Sequence, residues 1–361
     1  MRRSRLALAA GLGGAAAAAW FATRELDRRR IRDDPEYAHL YAPLDGREVT
    51  VTAGDGTRLY AEVFGPDGAP TIVVCHGWTC ALRFWTYQIQ ALTPDFRVVA
   101  WDFRGHGRSD PAATGDYAID AFGDDLQAVL EATVPAGERA LLAGHSMGGM
   151  AIVAWAGRHQ DEVARRASAT ALISSGMGDL MSESLVVRTP ERLKPVSTRI
   201  AIAAVSSPTP IPSTPSPLMY RWIRYVALSP AATPAQVAFS EQLVIDCPTD
   251  VRAHCAATLS RLDLYASIAS VTVPTLVMVG ERDRLLPPLH ARKLASMLPD
   301  PTELVEIPRY GHMLPLEAHD DVTAALCQLA AASSSSASAA TASAGSTGNG
   351  AAPASASRSS A

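Results

Sequence analysis

The sequence predicts an α/β fold, a mostly parallel sheet flanked by helices, and three observations carry the prediction. Near-continuous apolar runs recur at Thr71–Cys75, Arg97–Trp101, Ala140–Ala143, Ala169–Ser174, Thr275–Val279 and Glu303–Ile307. Strands buried on both faces read this way, whereas a half-wet strand would alternate. Segments of helical length separate these runs: Ala81–Leu92, Ile119–Ala132, Gly148–Arg158, Leu289–Leu298 and Leu316–Leu329. That alternation is the pattern of a parallel sheet with right-handed crossovers. With 361 residues and 48% hydrophobic content, the chain can bury a substantial core.

The elements follow in order. Arg47–Ala53 and Thr57–Phe64 alternate around Asp55-Gly56 and predict a hairpin ahead of the parallel strands. About a hundred residues between Ser174 and Pro274 then pass without a clear strand. They hold five prolines between Pro208 and Pro217, followed by Leu218, Met219, Trp222, Ile223 and Val226 on one helical face. A helical insertion perched on the sheet is expected there.

The two ends differ from this middle. An uncharged run, Leu6–Thr23, lies between Arg2, Arg3 and Arg5 on one side and an Arg-rich stretch to Arg32 on the other. Eighteen residues are enough to span a bilayer as a helix, although Ala and Gly drive insertion weakly. A single-pass membrane anchor is the first expectation. A cleaved, secretory signal at Ala17-Ala18-Ala19, with Arg2-Arg3 as a degenerate twin-arginine, is the second. An amphipathic or disordered extension is the third. From Ala332 to Ala361 the chain is almost all Ala, Ser, Thr and Gly, and the composition predicts a disordered tail. The expected division is 1–40 (anchor or signal), 41–176 (core), 177–270 (helical cap), 271–331 (core) and 332–361 (tail).

A formal net charge of −4 gives no reason to expect nucleic acid. Five cysteines lack any C-x-x-C spacing, which argues against a zinc site and favours reduced thiols packed as small hydrophobes, with a Cys247–Cys255 bridge left open by the spacing.

The chemistry gathers at strand ends. Gly144-His145-Ser146-Met147-Gly148-Gly149 follows an apolar run and opens a helix, the strand–turn–helix setting of a G-x-S-x-G nucleophile. The turn lifts the Ser146 hydroxyl and leaves the Met147 N–H to meet a developing oxyanion. His76-Gly77-Trp78-Thr79 follows Thr71–Cys75 and presents the Trp78 N–H as a second donor, with His76 bracing the loop.

On these residues the chain resembles the α/β-hydrolase fold family, in the lipase- and esterase-like branch bearing G-H-S-M-G-G, over roughly residues 45–330. Asp102-Phe103-Arg104-Gly105-His106-Gly107-Arg108-Ser109 is similar to the family's structural D-x-R-G-x-G-x-S turn. Gly280-Glu281-Arg282-Asp283 and Gly311-His312 resemble the positions of the acid and the histidine. The resemblance implies an eight-stranded sheet with a helical cap inserted after strand 6, and a metal-free, cofactor-free Ser146–His312–Asp283 triad. Asp179, just past an earlier strand, is the competing acid. The implied reaction is cleavage of a carboxylic ester, or a thioester or amide, on a hydrophobic small molecule. C–C bond hydrolysis, perhydrolase or haloperoxidase-like chemistry, and a low-turnover binding module are alternatives. Ser146 argues against the epoxide and haloalkane hydrolases, which use an aspartate. Trp78, Met219 and Trp222 are the candidate substrate-binding side chains.

Overall fold

A computed structural model describes residues 19–186, 189–210, 213–299 and 302–345. Residues 19–32 are helical (α1), and α2 covers Pro35–Leu40. The hairpin forms from β1 (Arg47–Thr52) and β2 (Arg58–Phe64), with Arg47 opposite Val63 and Thr52 opposite Arg58. Asp55 Oδ1 accepts the Thr57 N–H at 3.0 Å and so shapes the turn.

The parallel strands are β3 (Thr71–Cys75), β4 (Arg97–Trp101), β5 (Ala140–His145), β6 (Ala167–Ile173), β7 (Thr275–Gly280) and β8 (Thr302–Ile307). The eight strands lie in the order β1-β2-β4-β3-β5-β6-β7-β8, and only β2 runs against its neighbours. Because side chains alternate along a strand, each parallel strand feeds two cores. Val73, Cys75, Val99 and Trp101 join one hydrophobic cluster, while Ile72, Val74, Val98 and Ala100 join the other.

Helices cover both faces. Leu126, Val129 and Leu130 of α4 (Ile119–Thr133), and Ile152 and Trp155 of α5 (Met147–Arg158), pack into the first cluster. Leu294 of α11 (Pro288–Met297) joins them there. Ile89 and Leu92 of α3 (Thr86–Leu92) and Leu326 of α13 (His319–Gly345) pack into the second. A short α6 (Gln160–Arg166) precedes β6.

Between β6 and β7 lie α7 (Lys194–Val205), α8 (Pro217–Ala227), α9 (Pro234–Asp246) and α10 (Thr249–Leu259). Ser216 caps α8 by accepting the Met219 N–H, and Thr233 with Gln236 forms a capping box on α9. Val251 and Cys255 of α10 reach the first core cluster, and Phe239 and Leu243 of α9 reach the second. The insertion therefore straddles the strand ends.

Two expectations change. The helix expected over Leu316–Leu329 is broken at Ala318 into α12 (Leu314–Glu317) and α13, because Ala318 leaves helical geometry. The α13 helix then continues to Gly345, into the stretch assigned to a disordered tail. Alanine is the strongest helix former, so an Ala-rich extension of an already nucleated helix prolongs it at little cost. Residues 346–361 lie outside the described residues. The Arg-rich flank is likewise a helix fastened to the protein: Asp27 of α1 makes a bidentate ion pair with Arg221 of α8, at 2.8 and 3.3 Å. No helix among the described residues is long and apolar enough to cross a membrane. The anchor or signal run falls mostly on residues 1–18, outside the described residues.

All five cysteines are free thiols, and four are buried. Burial pushes the Cys75 and Cys80 thiols up to about 12.

Candidate active site

Ser146 sits between β5 and α5 with φ 52° and ψ −116°, a strained backbone for a residue with a side chain. Sterics explain the two flanking glycines. A Cβ on Gly144 would stand 2.5 Å from the Gly148 carbonyl, and one on Gly148 would stand 2.2 Å from the Cys75 carbonyl oxygen. Backbone cannot retreat from either contact, so the chain turns this tightly only with glycine at both places. The turn is held from outside as well. The Ser146 N–H donates to Ile173 O at 2.9 Å, and Ser175 Oγ donates to Ser146 O at 2.9 Å. Ser146 itself is half-buried, with a face toward solvent.

The loop after β3 lies against this turn. A methyl on Gly77 would meet Ser146 Cβ at 3.4 Å and His145 Nδ1 at 2.8 Å. Trp78 and Met147 thus flank Ser146 from two strands, and among the described residues neither backbone N–H has an acceptor. The Trp78 indole donates to Arg252 O at 3.1 Å, which ties this loop to α10. His76 is fully buried, and desolvation holds its pKa well below the usual histidine range. As a neutral ring it accepts the Phe103 N–H at Nε2 (3.0 Å) and donates from Nδ1 to Gly77 O (2.8 Å). That geometry braces a loop.

His312 and Asp283 meet. His312 Nδ1 lies 2.7 Å from Asp283 Oδ2, and both side chains are buried. The other oxygen, Oδ1, accepts the N–H groups of Leu285 and Leu286 at 2.9 and 2.8 Å. Asp179 is occupied elsewhere: exposed, it accepts from Tyr265 Oη at 3.0 Å and pairs with Lys293 at 3.4 Å.

Two residues that sequence reasoning passed over hold His312 in place. His145 donates from Nε2 to His312 O at 2.9 Å, and the two rings are 4.9 Å apart, which sets His312 beside the residue preceding Ser146. Burial, the largest cause, and then the neighbouring His312 keep the His145 pKa well below the usual range. Glu317, also buried, accepts the N–H groups of Gly311 (3.2 Å), Met313 (3.2 Å) and Ser229 (2.7 Å). It therefore clamps His312 on both sides and joins it to the link between α8 and α9. His312 N–H donates to Ala227 O, at the last residue of α8, at 2.9 Å. The signal that could have found Glu317 is its charge within Met313-Leu314-Pro315-Leu316-Glu317-Ala318, an otherwise apolar run.

The Asp102–Ser109 turn is structural. Asp102 accepts the Leu82 and Arg108 N–H groups at 2.6 and 2.9 Å, and burial raises its pKa to about 6. Arg104 makes two 2.6 Å bonds to buried Asp125.

The candidate substrate-binding side chains separate. Trp78 is half-buried, follows Gly77 in the loop that lies against the Ser146 turn, and packs on the first core cluster, whereas Met219 packs against the second. Trp222 points outward, its ring 6.2 Å from Tyr225, and lines neither cleft near α8. The apolar face proposed from spacing was too wide, so α8 buries Tyr220 and Ile223 and turns Trp222 out. The larger cleft, about 490 Å³, is lined by Leu185, Tyr225, Pro230 and Glu281–Arg284, on the Asp283 side of the site.

A family model for the alpha/beta hydrolase fold matches residues 70–319. The chain is 30% identical over 260 residues to the non-heme chloroperoxidase of Streptomyces lividans, covering 70% of this chain and 89% of that one. It is 27% identical to the bifunctional esterase/perhydrolase DCH of Acinetobacter calcoaceticus, covering 73% and 93%. Among solved structures, a thermophilic esterase from Thermogutta terrifontis superposes with a TM-score of 0.63 at 24% identity, over 80% of this chain and 99% of that one. At that identity the last likeness speaks to the fold alone.

Proposed function

The chain belongs to the α/β-hydrolase fold family and is a hydrolase, and from that premise we propose that it cleaves carboxylic esters through an acyl-enzyme. The observation that carries this reading is the 2.7 Å contact between His312 Nδ1 and Asp283 Oδ2, with the imidazole held beside the Ser146 turn. Held at Nδ1, the ring has Nε2 left to work as a base.

In the proposed reaction His312 takes the Ser146 proton as Oγ attacks the ester carbonyl. Asp283 orients the imidazole and stabilises its protonated form. The oxyanion is received by the Trp78 and Met147 N–H groups. Collapse expels the alcohol, which leaves with the proton from His312, and water activated by the same ring releases the acid. Half-buried Trp78, in the loop against the Ser146 turn, supports an apolar acyl group.

Replacing Ser146 by Ala removes the nucleophile and leaves only binding and the oxyanion donors. The expected loss in kcat on a p-nitrophenyl ester is several orders of magnitude, roughly 10⁴–10⁶-fold. A fluorophosphonate should label Ser146 in the parent and nothing in the variant. Undiminished turnover, or labelling at another serine, would overturn the assignment.

A second reading, perhydrolysis, draws on the two relatives named for peroxidase and perhydrolase chemistry. Hydrogen peroxide would replace water on the same acyl-enzyme and release a peracid. Halide oxidation that depends on a carboxylic acid and on Ser146 is its test.

A further inference from the structure

We propose that the outer face formed by α1 and α8 docks on an anionic lipid surface. On α8, Leu218, Trp222 and Tyr225 recur at i, i+4 and i+7, and they are 72%, 51% and 45% exposed. Residues at that spacing share one face of a helix, so they form a single outward row. Isolated surface apolar residues need no explanation, but a row of this size beside a second apolar group does. The second group is on α1, where Trp20 and Phe21 are 44% and 65% exposed. The bidentate Asp27–Arg221 pair fastens the two helices side by side.

Charge indicates what covers this face. Arg221, Arg224 and Arg284 line one shallow cleft with Tyr225, Leu228 and Pro230, and no carboxylate lines it. Arg224 and Arg284 donate only to carbonyl oxygens, Pro230 O and Tyr225 O, and among the described residues neither has an acidic partner. On α1, Arg24, Arg28, Arg29, Arg30 and Arg32 outnumber Glu25 and Asp27, whose charges are met by Arg29 and Arg221. The chain that leads into α1 carries no charge from Leu6 to Ala18, and beyond it lie Arg2, Arg3 and Arg5. Aromatic and aliphatic tips suit the outer acyl region of a bilayer, and guanidinium groups suit its phosphates. Each cation near an anionic surface adds attraction that salt weakens.

Position gives the face a use. Tyr225 and Arg284 also line the larger cleft, which reaches Asp283. A docked molecule would hold that opening at the lipid surface and meet esters resident there. The docking stands apart from the ester reading, and only the delivery of substrate rests on it.

The test uses the full chain and sedimentation with vesicles of phosphatidylglycerol and phosphatidylethanolamine, or of phosphatidylcholine alone. Binding should favour the anionic vesicles and weaken as salt rises. The double substitution Phe21→Ser, Leu218→Ser should weaken it at least tenfold, with hydrolysis of soluble p-nitrophenyl acetate and the melting temperature unchanged. Independently of any variant, brominated acyl chains should quench tryptophan fluorescence in the parent protein. Unaltered vesicle binding by the double variant overturns the proposal, as do equal affinity for phosphatidylcholine and absent quenching. A shift from dimer to monomer at constant vesicle affinity overturns it too, since the face would then serve a second copy. Vesicle binding is read without turnover, so a protein inactive on esters leaves this test standing.

Discussion

Asp283 gives its two carboxylate oxygens different tasks, Oδ1 to the backbone of Leu285 and Leu286 and Oδ2 to His312. Asp283→Asn separates them. The amide oxygen can keep the backbone bonds, while its NH₂ meets His312 Nδ1 and imposes the wrong tautomer. The expected result is a loss of roughly 10⁴-fold in kcat with the melting temperature nearly unchanged. Asp179→Asn should leave kinetics within about twofold, because that side chain serves Tyr265 and Lys293 at the surface. Steady-state kinetics of both variants on one ester decides between the two acids, and the opposite pattern would reassign the role. The strand-end places of Ser146, Asp283 and His312 could be read from the sequence because each follows an apolar run in a short, recognisable turn. His145 could not, and Glu317 showed only as a charge in an apolar run. Their roles depend on which backbone groups they face, and those come from segments distant in the chain.

At the scale of elements, strand positions were read to within two residues, since a strand buried on both faces leaves an unbroken apolar run; β8, at the sheet edge with only Ile307 buried, is the exception to that reason. Helices in the insertion were harder. Leu218, Met219, Trp222, Ile223 and Val226 span too wide an arc for one buried face, and only packing against α9 and the sheet decides which side turns inward. The loop that carries His312 shows what such packing does for a site. Glu317 gathers three backbone donors from two elements, and burial raises its pKa. Glu317→Gln keeps one acceptor oxygen but turns two N–H groups toward donors. Each donor left without a partner costs about 1–3 kcal/mol. The variant should melt several degrees lower, and kcat should fall about tenfold with KM little changed. A melting-temperature drop with full kcat would mean that the clamp serves only stability.

The whole molecule hides several ionisable groups, and their titration shapes its stability. Burial lowers His106 to about 4 from 6.5, and His76 and His145 move the same way. Between those values the unfolded chain binds the proton that folded His106 refuses, so stability is present above pH 6.5 and is lost as pH falls toward 4. The slope is about 1.4 kcal/mol per pH unit for one histidine. Asp102, raised to about 6, works in the opposite sense below that pH, so the parent's profile is a sum. His106→Asn isolates one contribution: its melting temperature should fall less steeply than the parent's from pH 6.5 to 4, and parallel curves would refute it. Composition alone could not show which histidines are buried, just as it could not show the helix continuing to Gly345. The link between α8 and α9 has a consequence for anyone who would re-engineer specificity by transplanting the segment between β6 and β7. That segment is not a detachable lid. It supplies the Ala227 carbonyl to the His312 N–H and the Ser229 N–H to Glu317, and Trp78 reaches across to Arg252 O. A foreign segment of suitable length, even one with an ideal acyl pocket, would leave the His312 loop and the Trp78 loop loosely held. A productive graft must therefore carry those three backbone partners at the same places, which makes junction geometry, rather than pocket shape, the first criterion for choosing a donor.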